Sequence, residues 1–85
     1  MEIQIDPHTV ERMRERGTNE QEVKETLETG NNILGKYGRL GKSKVFIFDN
    51  VRNGKYYREK KLEVYYIIEH GKIITVTVNV FFGKF

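Results

Sequence analysis

Eighty-five residues are enough for one small domain, 1–85, with a single modest core. Hydrophobic residues make up 38% and charged residues 32%, a balance that suits a folded chain and argues against disorder. The chain has no cysteine, which excludes a disulfide framework and a thiolate metal site, and no apolar run approaches a membrane span. The net charge of +3 is unevenly spread. Residues 1–35 carry four basic and eight acidic side chains (−4), residues 36–61 carry nine and two (+7), and residues 62–85 carry two of each. A basic middle segment suits a polyanion such as RNA, or an acidic protein partner; a solvated surface is the plainer alternative.

In chain order, Glu2-Ile3-Gln4-Ile5 alternates like a short edge strand. That acidic start lacks the form of a signal peptide, so a cytoplasmic location is expected. A first helix is predicted through Pro7–Arg16, with Asp6 as its cap, Pro7 at the first helical position and Gly17 at a left-handed exit. Thr18-Asn19-Glu20-Gln21 has the pattern of a capping box with Thr18 at the cap, and Gly30 ends a second helix. Val10, Met13, Val23 and Leu27 form the apolar faces of the two helices, which a short turn should set side by side.

The remainder reads as sheet. Lys44–Phe48 is a predicted strand, Asp49–Gly54 has turn chemistry, and Lys61–Ile68 and Ile73–Phe82 are strands joined around Gly71. A three-residue loop, His70-Gly71-Lys72, would set Ile68, Tyr66, Val64 and Leu62 opposite Ile74, Val76, Val78 and Val80. That register leaves one face apolar apart from a phenol hydroxyl, so burial should select it. The expected fold is α+β: two N-terminal helices packed on one face of a twisted antiparallel β-sheet.

Three stretches could carry chemistry. His8, Arg12 and Arg16 are spaced four apart, which stacks an imidazole and two guanidiniums along one helical stripe. The histidine could serve as acid and base, and the arginines could clamp a phosphate. Ordinary surface pairing, Glu11 with Arg14 and Arg12 with Glu15, is the competing account. Lys55, Tyr56, Tyr57 and Lys60 interleave phenols with cations, as nucleic-acid stacking surfaces do, or they guard a sheet edge. The loop through Tyr37, Gly38, Arg39, Leu40, Gly41, Lys42, Ser43 and Lys44 lacks phosphate-loop spacing and supports backbone contact only, by Arg39, Lys42 and Lys44. Two distant histidines offer no metal site, and no cofactor motif is present.

The stretches Asp6–Gly17, Lys36–Lys42, Gly54–Tyr57, Ile74–Val78 and Phe82–Lys84 together resemble the bacterial Domain of Unknown Function 4258 family. That family in turn resembles the RelE-like and barnase-like toxin nucleases. The resemblance implies metal-independent RNA cleavage through the ribose 2′-hydroxyl, an antitoxin partner, and a hydroxyl on the terminal strand, where Thr75 and Thr77 fall. The leading expectation is therefore a toxin-type endoribonuclease. His8 would be its acid–base, Arg12 and Arg16 its clamp, and Tyr57 and Lys60 its substrate contacts. The rivals are a non-catalytic nucleic-acid binder and a protein-interaction module that dimerises through the open sheet face.

Overall fold

The chain runs β1 (Glu2–Gln4), α1 (Pro7–Arg16), α2 (Glu20–Thr29), β2 (Asn31–Ile33), β3 (Leu40–Arg52), β4 (Lys55–Glu69) and β5 (Lys72–Gly83) in a computed structural model describing residues 1–85. The caps explain the first helix. Asp6 accepts from the Thr9 N–H at 3.0 Å, Pro7 occupies the first turn, and Gly17 leaves at φ 87°. The second helix starts one residue later than its pattern suggests. Asn19 is the cap, accepting from the Glu22 N–H at 2.9 Å, while the Thr18 hydroxyl donates to the Glu22 carboxylate at 2.8 Å. Gly30 is not left-handed. It is required by close approach, since a Cβ there would lie 2.7 Å from the Ser43 carbonyl oxygen.

The strands form one five-stranded sheet in the order β1-β5-β4-β3-β2. Four of the strands are antiparallel to their neighbours, but β1 runs parallel to β5, so the sheet is mixed and not purely antiparallel as expected. The long connection from β1 to β5, through both helices and three strands, permits this, because parallel neighbours need a crossover of a dozen or more residues. Strands β3 and β4 are also longer than predicted, so Lys55–Lys61 lies within a strand. The Asn53-Gly54 turn joins them, both residues at positive φ.

The β4–β5 hairpin corrects the predicted turn, and the predicted apolar face holds only beyond a bulge: on the turn side Ile73 and Thr75 face the helices in place of Ile74 and Val76, and Ile68 is half exposed. Glu69 faces Lys72 across a two-residue turn, His70-Gly71, with φ of 51° and 74°. Such a primed turn matches strand twist. The shift it introduces is absorbed between Tyr65 and Tyr66, where Tyr66 faces Thr75 and Tyr65 faces Thr77. One extra residue, Val76, is thereby accommodated as a bulge. Beyond it, Val64 faces Val78 and Leu62 faces Val80, as the apolar pattern demands.

That face carries the core. Met13, Val23 and Leu27 from the helices close over Leu62, Val64, Tyr66 and Val78, with Ile3, Ile5, Phe46, Ile73 and Val80 around them. Helix α1 lies against β5, and α2 against β3 and β4. The two helices thus cover one sheet face and leave the other open. No helix is long and apolar enough to cross a membrane.

Candidate nucleic-acid interface

The open face is set by pairing. Core residues Val64 and Val78 point toward the helices, so Tyr65, Thr77, Glu63 and Asn79 point away from them. Above these residues hangs the loop between β2 and β3. Its tip is Lys36-Tyr37-Gly38-Arg39, closed by the Arg39 N–H donating to the Lys36 carbonyl at 3.1 Å, with Tyr37 at φ 58° and Gly38 at φ 76°. Together Leu34, Lys36, Tyr37, Arg39, Tyr65, Thr77 and Asn79 enclose a cleft of about 290 Å³.

Its electrostatics are simple. Neither Lys36 nor Arg39 makes an ion pair, so both cations are available. The Asn79 side-chain oxygen accepts from the Arg16 guanidinium at 2.6 Å, which leaves the amide NH₂ as a free donor. The Tyr65 hydroxyl donates to the Glu63 carboxylate at 3.3 Å. Burial, and then the Glu63 charge, hold the Tyr65 phenol above its ordinary value, and the hydrogen bond to Asp49 does the same for Tyr56. Two of the five tyrosines should therefore ionise late in an ultraviolet titration. Tyr65→Phe should remove one of them, and Glu63→Gln should bring it back toward the ordinary range. Because the folded chain holds that proton longer than the unfolded one, the contribution of Tyr65 to stability is complete below 10.0 and fades as pH rises through the raised value. A Tyr65→Phe titration curve identical to that of the parent would contradict this assignment.

The predicted catalytic stripe is not assembled. His8 is exposed on the first turn of α1 and has no hydrogen-bond or ion-pair partner. Arg12 is spent on Glu15 at 2.8 Å, the ordinary surface pairing. Arg16 reaches over the edge of β5 to the Val78 carbonyl at 2.8 Å as well as to Asn79. None of the three lines a cavity, and α1 lies on the opposite side of the sheet from the cleft. Helical spacing sets an angle around the axis, but not which strand edge will claim a guanidinium. Thr75 is likewise structural: its hydroxyl donates to the Asp6 carboxylate and accepts the Asp6 N–H, both at 3.1 Å. Thr77 does line the cleft.

The predicted nucleic-acid contacts separate. Arg39 stands in the cleft. Lys42 faces the helix side in a half-buried position opposite Val64. Lys44 is held by Glu25 at 2.9 Å and by Thr29 at 2.6 Å. Lys60 is buried, with its ammonium 2.6 Å from Glu22 and 3.1 Å from the Gly17 carbonyl. Lys44 and Lys60 therefore fasten α2 to the sheet, with their ammonium groups already paired. Lys55, Tyr56 and Tyr57 sit at the far end of the β3–β4 hairpin, roughly 40 Å from Arg39 at strand rise. There Lys55 covers the Tyr57 ring, Tyr57 packs on Phe82, and Tyr56 bonds Asp49. Tyr65 and Asn79 were not among the predicted site residues. Their strand alternation marks the open face, but nothing in it announces a loop above.

No group of three histidine, aspartate or glutamate side chains is placed to hold a metal ion. No protein-family model matches the chain, and no curated protein or solved structure matches it.

Proposed function

We propose that this protein binds single-stranded nucleic acid, RNA foremost, in the open-face cleft. Lys36 and Arg39 meet phosphates, Tyr37 stacks on an unpaired base, and Thr77 and the free Asn79 amide meet the sugar or base edge. One observation carries the reading. Tyr37 is a bulky residue at positive φ on the tip of a tight turn, 91% exposed, between two cations that have no carboxylate partner. A side chain there costs about 1–2 kcal/mol of backbone strain compared with glycine, and burial does not repay it. Stacking of a base on an aromatic ring is worth about 1–3 kcal/mol, enough to offset that cost. Phosphate contact by the flanking cations adds a salt-dependent term.

Cleavage of the bound strand would need a group to take and return a proton beside it. His8, the residue expected to do so, has no place at the cleft, so binding is the reading the geometry favours. The test is fluorescence anisotropy with labelled single-stranded RNA, single-stranded DNA and duplex RNA of one sequence, followed by a gel for strand integrity. Single strands should bind, more weakly as salt rises, and remain intact. Tyr37→Ala should lose about tenfold in affinity without loss of fold, a loss of about 1.4 kcal/mol that lies within the range for one stacked base. Equal affinity of Tyr37→Ala, or preference for the duplex, would overturn the proposal. Cut RNA would return the reading to the nuclease.

A further inference from the structure

Beyond its charge, the cleft has a hydrogen-bonding polarity, and Arg16 sets half of it. An asparagine amide ends in an oxygen that only accepts and an NH₂ that only donates, two ends of nearly the same shape. Which end is offered to a ligand depends on what holds the other. Arg16 reaches over the edge of β5 where β1 has already stopped, and its Nη1 lies 2.6 Å from the Asn79 side-chain oxygen and 2.8 Å from the Val78 carbonyl. A guanidinium has no acceptor, so only the oxygen end of the amide can face it. Asn79 lines the cleft, and its NH₂ makes no hydrogen bond within the chain. Tyr65 has the opposite polarity. Its hydroxyl donates to the Glu63 carboxylate at 3.3 Å, so its one proton is engaged and the phenol oxygen is left as an acceptor. Glu63 pairs with Asn79, and Tyr65 with Thr77, which makes Tyr65 and Asn79 diagonal neighbours on the open face, within reach of one ligand. The cleft floor thus offers a fixed donor beside a fixed acceptor.

We infer that the cleft selects a base with a keto oxygen beside a ring N–H, as in uracil and guanine, over one with an amino group beside a bare ring nitrogen, as in cytosine and adenine. Asn79 is the specificity-determining residue, and Arg16 is the residue that positions it. Such selection rests on the single-strand binding proposed for this cleft. The Asn79 NH₂ donates to the keto oxygen, and the ring N–H donates to the Tyr65 oxygen. Against cytosine or adenine, donor meets donor and acceptor meets acceptor, and groups that were bonded to water go unpaired. An asparagine free to turn carries no such bias, since its familiar contact with adenine uses oxygen and NH₂ together. Here the guanidinium holds that oxygen. At about 290 Å³ the cleft is at the small end of ligand pockets, which suits one base and its sugar. Tyr37 stacks on any base, and Lys36 and Arg39 meet phosphates that every strand shares, so these three add affinity without choosing.

Oligo(U) and oligo(C) of one length are the probes, because they differ at the two recognised positions and share ring size and backbone. In fluorescence anisotropy at one salt concentration, oligo(U) should bind about tenfold tighter, a difference of about 1.4 kcal/mol that is in the range for one well-matched base contact. Asn79→Asp replaces the donor with an acceptor and keeps a partner for Arg16, so the fold should hold. Its ratio of oligo(U) to oligo(C) affinity should fall to one or below, since a carboxylate accepts from the cytosine amino group. Arg16→Met frees the amide to turn and should bring the ratio toward one, whatever it does to overall affinity. The ratio is the readout because lost stability or lost charge acts on both strands alike. Equal binding by the parent, or tighter binding of oligo(C), would end the selection and leave cleft binding standing; no binding of either strand would end both. A preference for oligo(U) that survives Asn79→Asp or Arg16→Met in full would overturn the assignment of that residue.

Discussion

Glu22→Leu is expected to destabilise the fold by about 2–4 kcal/mol, because it strands the Lys60 ammonium. The Lys60 side chain is only 9% exposed, and its nitrogen lies between the Glu22 carboxylate at 2.6 Å and the Gly17 carbonyl at 3.1 Å, over the Phe48 ring. Removing the carboxylate leaves one neutral acceptor for a full charge. The reverse change, Lys60→Met, should cost far less. Glu22 is 20% exposed and keeps the Thr18 hydroxyl as a donor, so water and Thr18 can hold its charge. The double variant Glu22→Leu with Lys60→Met removes both charges and should recover most of the loss, since an apolar pair of similar volume often replaces a buried ion pair without penalty. Denaturant midpoints for the four proteins give the coupling directly. Single losses that simply add in the double variant would show that the pair does not act as a unit.

The same pair illustrates what local pattern can and cannot supply. Asp6, Pro7 and Gly17 act at once on their own backbone, so the first helix follows from its residues. The alternation of Leu62, Val64 and Tyr66 likewise predicts the core face, because burial penalises any slip. That demand was strong enough to overrule the predicted turn: the hairpin took a two-residue turn, and Val76 bulged to restore the alignment. Lys60 lies on the same alternation as Leu62, facing the helices, yet its charge suggested solvent. Only the approach of Glu22, thirty-eight positions earlier in the chain (60 − 22), accounts for its burial.

The candidate site divides in the same way. Arg39 was visible because a basic, glycine-rich loop advertises exposure and turn chemistry. Tyr37 lay in that loop without distinction, although Lys36-Tyr37-Gly38-Arg39 had a readable signal: two turn residues between two cations. Tyr65 and Asn79 could not be assigned from pattern, because a strand residue on the open face looks alike whether a loop covers it or not. Arg16 failed for the complementary reason. Helical spacing sets its place on α1, but its partner is an edge carbonyl created by the shortness of β1.

Lys36→Glu combined with Arg39→Glu should reduce single-strand affinity by roughly a hundredfold, about 1.4 kcal/mol for each reversed charge. It should also flatten the salt dependence by about 1.4 in the logarithmic slope, since each lost phosphate contact on a single strand removes about 0.7. The matched control is Lys55→Glu with Arg58→Glu, which alters net charge equally at the opposite end of the β3–β4 hairpin. If attraction depended only on the overall positive charge, the two double variants would fall together. If the cleft is the site, the control should lose only the long-range part, which screening reduces to little beyond about 10 Å near physiological salt. The comparison separates a located site from a diffuse basic surface, and equal losses with equal slopes would remove the cleft from the mechanism of binding.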